Sequence, residues 1–186
     1  MCALAGAVNP GSKGQTGWQC SGTVPSSPIC GDVSPVWGGV TCVSGSVTGL
    51  SLAGLQLTGS LPSTLGLLTT LTRLQLNNNL LTGPIPDSVG RLTGLTYLNL
   101  GFNSLDGSVP VSAGDMKSLK YLNIAFNSLT YMVPESLCHL TGLSSVSFND
   151  NSELHCYFPC LSVVSILSYG AVPATCTAGT LVYSNI

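Results

Sequence analysis

Apolar residues recur along this 186-residue chain on a fixed long period. Val47, Leu71, Leu95, Leu119 and Leu143 lie 24 residues apart, and aligning on them brings the positions between into agreement. Leu50, Leu74, Leu98, Leu122 and Val146 fill the fourth position; Leu52, Leu76, Leu100, Ile124 and Phe148 fill the sixth. Apolar residues at positions one, four and six predict a short strand whose Leu side chains share an interior while the residues between face solvent. One such unit cannot bury its own Leu face. Stacking on the next unit does so and aligns the strands as a parallel sheet. The ninth position is Leu55, then Asn79, Asn103, Asn127 and Asn151. Asn there predicts a turn just after the strand, unusual backbone angles at the Asn itself, and a stack of amides bonding peptide groups that lack a ladder partner. Leu57, Leu81, Leu105 and Leu129 follow, then Gly59, Gly83 and Gly107, then Leu61-Pro62, Ile85-Pro86, Val109-Pro110 and Val133-Pro134. The Gly permits tight turning, and the Pro fixes φ and keeps the return segment from becoming a long helix.

The run Leu71-Thr72-Arg73-Leu74-Gln75-Leu76-Asn77-Asn78-Asn79-Leu80-Leu81-Thr82-Gly83-Pro84-Ile85-Pro86 resembles the plant-type leucine-rich repeat, LxxLxLxxNxLTGxIP. Receptor-kinase ectodomains, polygalacturonase-inhibiting proteins and protist surface proteins share that pattern. Trp37-Gly38-Gly39-Val40-Thr41-Cys42 is similar to the family's amino-terminal cap motif, and Cys2 to Pro10 resembles the remnant of a cap helix. The resemblance implies an α/β solenoid: a right-handed superhelix of about five coils with a concave parallel sheet, a second short sheet near the Gly-x-Ile-Pro segment, and capped ends. The expected organisation is one structural domain, with an amino-terminal cysteine cap over 1–46, repeats over 47–151 starting at 47, 71, 95, 119 and 143, and a carboxyl-terminal cysteine cap over 152–186. Tyr131 departs from the pattern by replacing Gly, and Cys138 stands where Gly66, Gly90 and Gly114 stand earlier.

Eight cysteines divide four and four between the ends, which reads as disulfide pairing in an oxidising, extracellular compartment. One period beyond Cys138 is position 162, so Cys138 is expected to pair with Cys160, leaving Cys156 for Cys176. At the other end spacing does not fix connectivity; Cys2–Cys20 and Cys30–Cys42 are the pairs we expect. No paired C-x2-C knuckles occur and His139 and His155 are isolated, so no metal and no cofactor is expected. Residues 1–8 lack a positive flank and read as mature sequence with no signal peptide. Val163 to Leu167 is the longest apolar stretch after Glu153, far short of the ~20 residues of a spanning helix.

Only 6% of residues are charged, with five Lys and Arg against seven Asp and Glu. With no basic patch to neutralise phosphates, nucleic acid is not expected as a partner. Catalysis has little to work with, because oxidised cysteines supply no thiolate for a Cys/His pair, and no enzymatic activity is expected. The outward columns of the strands are the place to look instead. The third position reads Gly49, Arg73, Tyr97, Tyr121, Ser145; the fifth Ser51, Gln75, Asn99, Asn123, Ser147; the eighth Gly54, Asn78, Phe102, Phe126, Asp150. Arg73, Gln75, Tyr97, Asn99, Phe102, Tyr121, Asn123 and Phe126 therefore form a candidate ligand face, since aromatics with Arg make contact hot spots. The same aromatics also read as packing partners that cover the sheet. The expected function is extracellular recognition of a protein or peptide, with a glycan also open. Ice binding through the column Thr48, Thr72 and Thr96, and inhibition of a secreted cell-wall hydrolase, are the alternatives.

Overall fold

A computed structural model describes residues 38–163 continuously, together with residues 20–21, 24–25, 30–31, 34–35, 165–166 and 174–175. The expected Cys2–Cys20 pair, the cap-helix remnant, Trp37 and the Cys176 side chain lie outside the described residues. Within each period the strand is short, as in Arg73–Gln75, Tyr97–Asn99, Tyr121–Asn123 and Ser145–Ser147. These strands pair in parallel with equivalent residues opposite one another: Arg73, Tyr97, Tyr121 and Ser145 stand in line across four of them. Leu74 and Leu98 beneath them are buried, as are Leu71, Leu76, Leu95 and Leu100. Burying a Leu side chain stabilises by about 1.5–3 kcal/mol, so the repeated Leu columns supply the main folding drive.

Among the described residues seven strands form this concave sheet, in the order Ser165–Ile166, Ser145–Ser147, Tyr121–Asn123, Tyr97–Asn99, Arg73–Gln75, Ser46–Ser51 and Val40–Val43. The last two run antiparallel. Their hairpin turns through Ser44 and Gly45, both at positive φ, as a two-residue turn matched to strand twist requires. Cys42 on the edge strand is bonded to Cys30, with Cα atoms 5.8 Å apart. Behind lies a second parallel sheet of Thr58–Ser60, Leu80–Pro84, Ser104–Ser108, Ser128–Met132, Glu153–Tyr157 and Ala174–Thr175. Each return begins at an extended Pro, at Pro62, Pro86, Pro110 and Pro134, and makes a single five-residue 3₁₀ helix. The Leu side chains, Met116 and Phe148 fill the interior between the layers.

One asparagine per coil ties the layers to each other. Asn79 Oδ1 accepts the N–H groups of Leu55 and Leu57 in the preceding coil at 2.9 and 3.1 Å, while its Nδ2 donates to Leu52 O and Leu76 O, both at 2.8 Å. Asn103, Asn127 and Asn151 repeat the two carbonyl bonds and accept one N–H each, from Leu81, Leu105 and Leu129. The unusual backbone angles, however, fall one residue earlier than the sequence suggests. Asn78, Phe102, Phe126 and Asp150 have φ between 53° and 57°, and Gly54 lies at 69°, whereas no ninth-position Asn has positive φ. The reason is directional: the Asn amide must point inward to the peptide groups, so the preceding residue absorbs the reversal of the chain.

The outer side is drawn together by a different column. A Cβ on Gly66, Gly90 or Gly114 would sit within 2.4 Å of the carbonyl oxygen of Ser88, Ser112 or Ser136, 22 residues on. At the same offset Cys138 meets Cys160 and forms a disulfide with Cα atoms 5.7 Å apart, so the last coil replaces a Gly–Ser contact by a covalent bond. Cys156 is also disulfide-bonded.

Asn127→Ala strands the Leu105 N–H, worth about 1–3 kcal/mol when left unpaired, and removes one of the two amide bonds to each of the Leu100 and Ile124 carbonyls, which keep those from Asn103 and Asn151. Urea unfolding is expected to show a loss of about 1–3 kcal/mol; a loss well below about 1 kcal/mol contradicts this role.

Candidate functional site

The parallel register builds two aromatic ladders. Facing strands lie about 4.8 Å apart, which is close to the stacking distance of two rings. The Tyr97 and Tyr121 rings follow that spacing, with centroids 4.3 Å apart and planes 3° from parallel. The Arg73 guanidinium carbon lies 4.0 Å from the Tyr97 centroid on the opposite face. Arg73 is exposed and both tyrosines are half-buried, so the three side chains form one continuous outward column. Cation–π contact contributes about 0.5–1 kcal/mol at such an exposed place.

The tyrosines also share a charge environment. Burial raises the Tyr121 phenol above the usual value of 10.0, and the neighbouring Tyr97, as a potential like charge and hydrogen-bond partner, raises it further; a hydrogen bond with Asn123 pulls it back. The proton is thus held more tightly in the folded chain than in the unfolded one.

Phe102 and Phe126 make the second ladder just past the strands, with centroids 4.2 Å apart and planes 11° from parallel. Phe102 is 47% exposed. Both take the left-handed conformation of their column, which costs a bulky residue on the order of 1 kcal/mol or more relative to Gly or Asn.

The remaining candidates divide. Gln75 Oε1 accepts the Ser51 hydroxyl at 3.0 Å on the face of the sheet. Asn99, expected to face solvent, is only 8% exposed, and its Oδ1 accepts the Gly101 N–H at 3.1 Å. Asn123 makes the same bond to Ala125 N–H at 3.0 Å and occupies the space that a side chain at residue 101 would need. The structure therefore brings Arg73, Tyr97 and Tyr121 into one ladder and Phe102 and Phe126 into another, while Asn99 and Asn123 turn back to brace the adjoining turns.

The Thr column is engaged internally: Thr72 Oγ1 donates to Thr48 O at 3.0 Å, and Thr96 Oγ1 to Thr72 O at 2.8 Å. His139 and His155 are exposed on different elements, and among the described residues no group of three His, Cys, Asp or Glu gathers. No helix among the described residues is long and apolar enough to cross a membrane. Sequence reasoning assigned nothing to Tyr131, which is 64% exposed with φ 67° at the position where Gly59, Gly83 and Gly107 also have positive φ. Its signal was the broken glycine column.

Phenolate absorbance is expected to show one tyrosine titrating above the usual range. Stability should hold below about pH 10 and fall as pH rises through the folded value, because the unfolded chain loses the proton first. Replacing Tyr121 by Phe removes that component; an unchanged titration in this variant contradicts the assignment.

The leucine rich repeat pattern matches residues 93–152 and again 70–92. No curated protein matches the chain significantly. Among solved structures, the chain is similar to one in the BIR3–SERK2 complex from Arabidopsis thaliana, at 27% identity and TM-score 0.73, over 94% of this chain and 96% of that one. It is similar to the leucine-rich repeat ectodomain of the Arabidopsis thaliana receptor kinase GASSHO1/SCHENGEN3, solved with CASPARIAN STRIP INTEGRITY FACTOR 2, at 33% identity and TM-score 0.65. That likeness covers 74% of this chain and 17% of the receptor's. The Arabidopsis receptor kinase HAESA ectodomain, solved with an IDA peptide hormone ligand, matches at 26% identity and TM-score 0.62, over 77% of this chain and 29% of that one. The repeat pattern, the two stacked parallel sheets and these likenesses agree: the chain belongs to the extracellular, plant-type leucine-rich repeat family.

Proposed function

We propose that this chain is a secreted or cell-surface recognition module, without catalytic activity, that holds a protein or peptide segment on its concave face. It is organised as one domain of repeats over 47–151 between cysteine caps at 1–46 and 152–186. Arg73, Gln75, Tyr97 and Tyr121 form the centre of the contact surface and Phe102 and Phe126 its rim. The carrying observation is the Arg73–Tyr97–Tyr121 column: three large side chains fixed in order on adjacent strands and still open to solvent. Fixed aromatics bind with little loss of side-chain freedom, which is why they dominate contact energies.

The orientation of the rings favours peptide over sugar. A sugar is recognised on the flat face of an aromatic ring, and here the faces within each pair are taken by stacking. What remains outward is ring edge and phenol hydroxyl, the groups that meet carbonyl oxygens of an extended chain. Kinship with ectodomains solved with peptide ligands or in complex with a partner receptor supports the same class. Ice binding has less support, since the hydroxyl protons of Thr72 and Thr96 are donated to backbone carbonyls of the preceding coil.

Panning a random-peptide phage library on the full chain supplies a probe. A selected peptide is expected to bind the Tyr97→Ala and Tyr121→Ala variants at least about tenfold more weakly, equivalent to ~1.4 kcal/mol, with the fold intact by circular dichroism. Unchanged affinity in both variants removes the concave face from the function.

A further inference from the structure

The eighth column contains a conflict between local backbone and side chain. Gly54, Asn78 and Asp150 are residues that accept positive φ readily, and Phe102 and Phe126 between them are not. Burial does not explain the exchange, for Phe102 is 47% exposed and Phe126 half-buried at the lip of the sheet. Nor is the reversal itself served by a phenyl ring, since Asn78 performs it without one. The rings stack on each other, which offsets part of the backbone cost, but that contact is made at the exposed lip and not in the core, and violations of a local rule at such places concentrate at functional sites.

Next to this pair, one coil further on, stands Asp150, whose carboxylate accepts the Asn149 Nδ2 at 2.5 Å. With coils about 4.8 Å apart, Asp150 lies about 7 Å from the middle of the Phe pair along the solenoid axis. Two residues of extended chain span about 6.7 Å. Apolar ring edges and an acid at that separation match a peptide that lies along the axis with an apolar side chain on the rings and a cationic side chain two residues later.

Resting on the peptide-binding reading above, we propose that Phe102, Phe126 and Asp150 form a specificity subsite on the rim of the sheet, selecting an apolar–x–Lys/Arg motif in an extended segment. The phenyl rings anchor the segment by excluding water around the apolar side chain. Asp150 sets its register through a charge that a neutral or acidic residue cannot replace. The strained backbone is retained because the residues that would relax it carry no ring.

The test uses the full chain and the same phage-selected peptides. Selected sequences are expected to carry Lys or Arg two positions after an aromatic or aliphatic residue. Phe102→Asn and Phe126→Asn, which suit the left-handed backbone, should weaken binding at least about tenfold while the melting temperature stays at or above that of the parent. Asp150→Asn should weaken binding of a selected peptide but leave its basic-residue-to-Ala version unaffected, so that the two changes together cost no more than one. Wild-type affinity in both Phe variants overturns the subsite, as does a melting temperature lowered by several degrees, which marks the pair as packing. Selected peptides without the basic residue also overturn it. If Tyr97→Ala abolishes binding while the Phe variants bind normally, the subsite falls and the concave-face reading stands; if none of these variants matters, both fall.

Discussion

The carboxamide of one asparagine per coil holds this solenoid in register. After each short strand the chain must turn inward among apolar side chains, where unpaired peptide groups are expensive. Asn79, Asn103, Asn127 and Asn151 meet that need by bonding carbonyls of their own coil and of the preceding one, and by accepting N–H groups from the preceding coil. Because the bonds cross between coils, each coil fixes the position of its neighbour. Leucine burial supplies the drive to stack, but a greasy interface alone leaves the register loose. The amide bonds, and the close Gly–Ser approaches on the outer side, set it at one value.

From that register the surface follows. Positions one period apart are brought directly opposite each other on neighbouring strands, so a residue repeated in sequence becomes a column in space. Two tyrosines with an arginine before them become a stacked ladder, and two phenylalanines become another. A chain with 6% charged residues has few means of directing a partner by long-range attraction. Its outward columns carry stacked aromatic rings instead, with the Arg73 guanidinium over one end of the tyrosine ladder.

The period, the parallel sheet and the buried Leu columns were legible because stacking requires the same residue at the same place in every coil. Cys138 was legible for the same reason, as an interruption in a glycine column whose next-coil neighbour is Cys160. What the sequence could not display was direction. The ninth-position Asn points inward, which moves the left-handed residue to the eighth position and leaves Phe102 and Phe126 under strain. Asn99 and Asn123 likewise occupy outward-reading positions, yet their amides fold back to Gly101 and Ala125. Side-chain hydrogen bonds to nearby backbone compete with exposure, and a column alignment contains no information about which wins.

Whether the ladders form the contact surface is read most directly from hydrogen exchange of the full chain with and without a library-selected peptide bound. Added protection is expected in the turns that carry Phe102 and Phe126 and in strands Tyr97–Asn99 and Tyr121–Asn123, with the 3₁₀ helices Asp87–Arg91 and Val111–Asp115 unchanged. Protection confined to those helices or to the second sheet, with the ladder strands unaffected, would contradict that role.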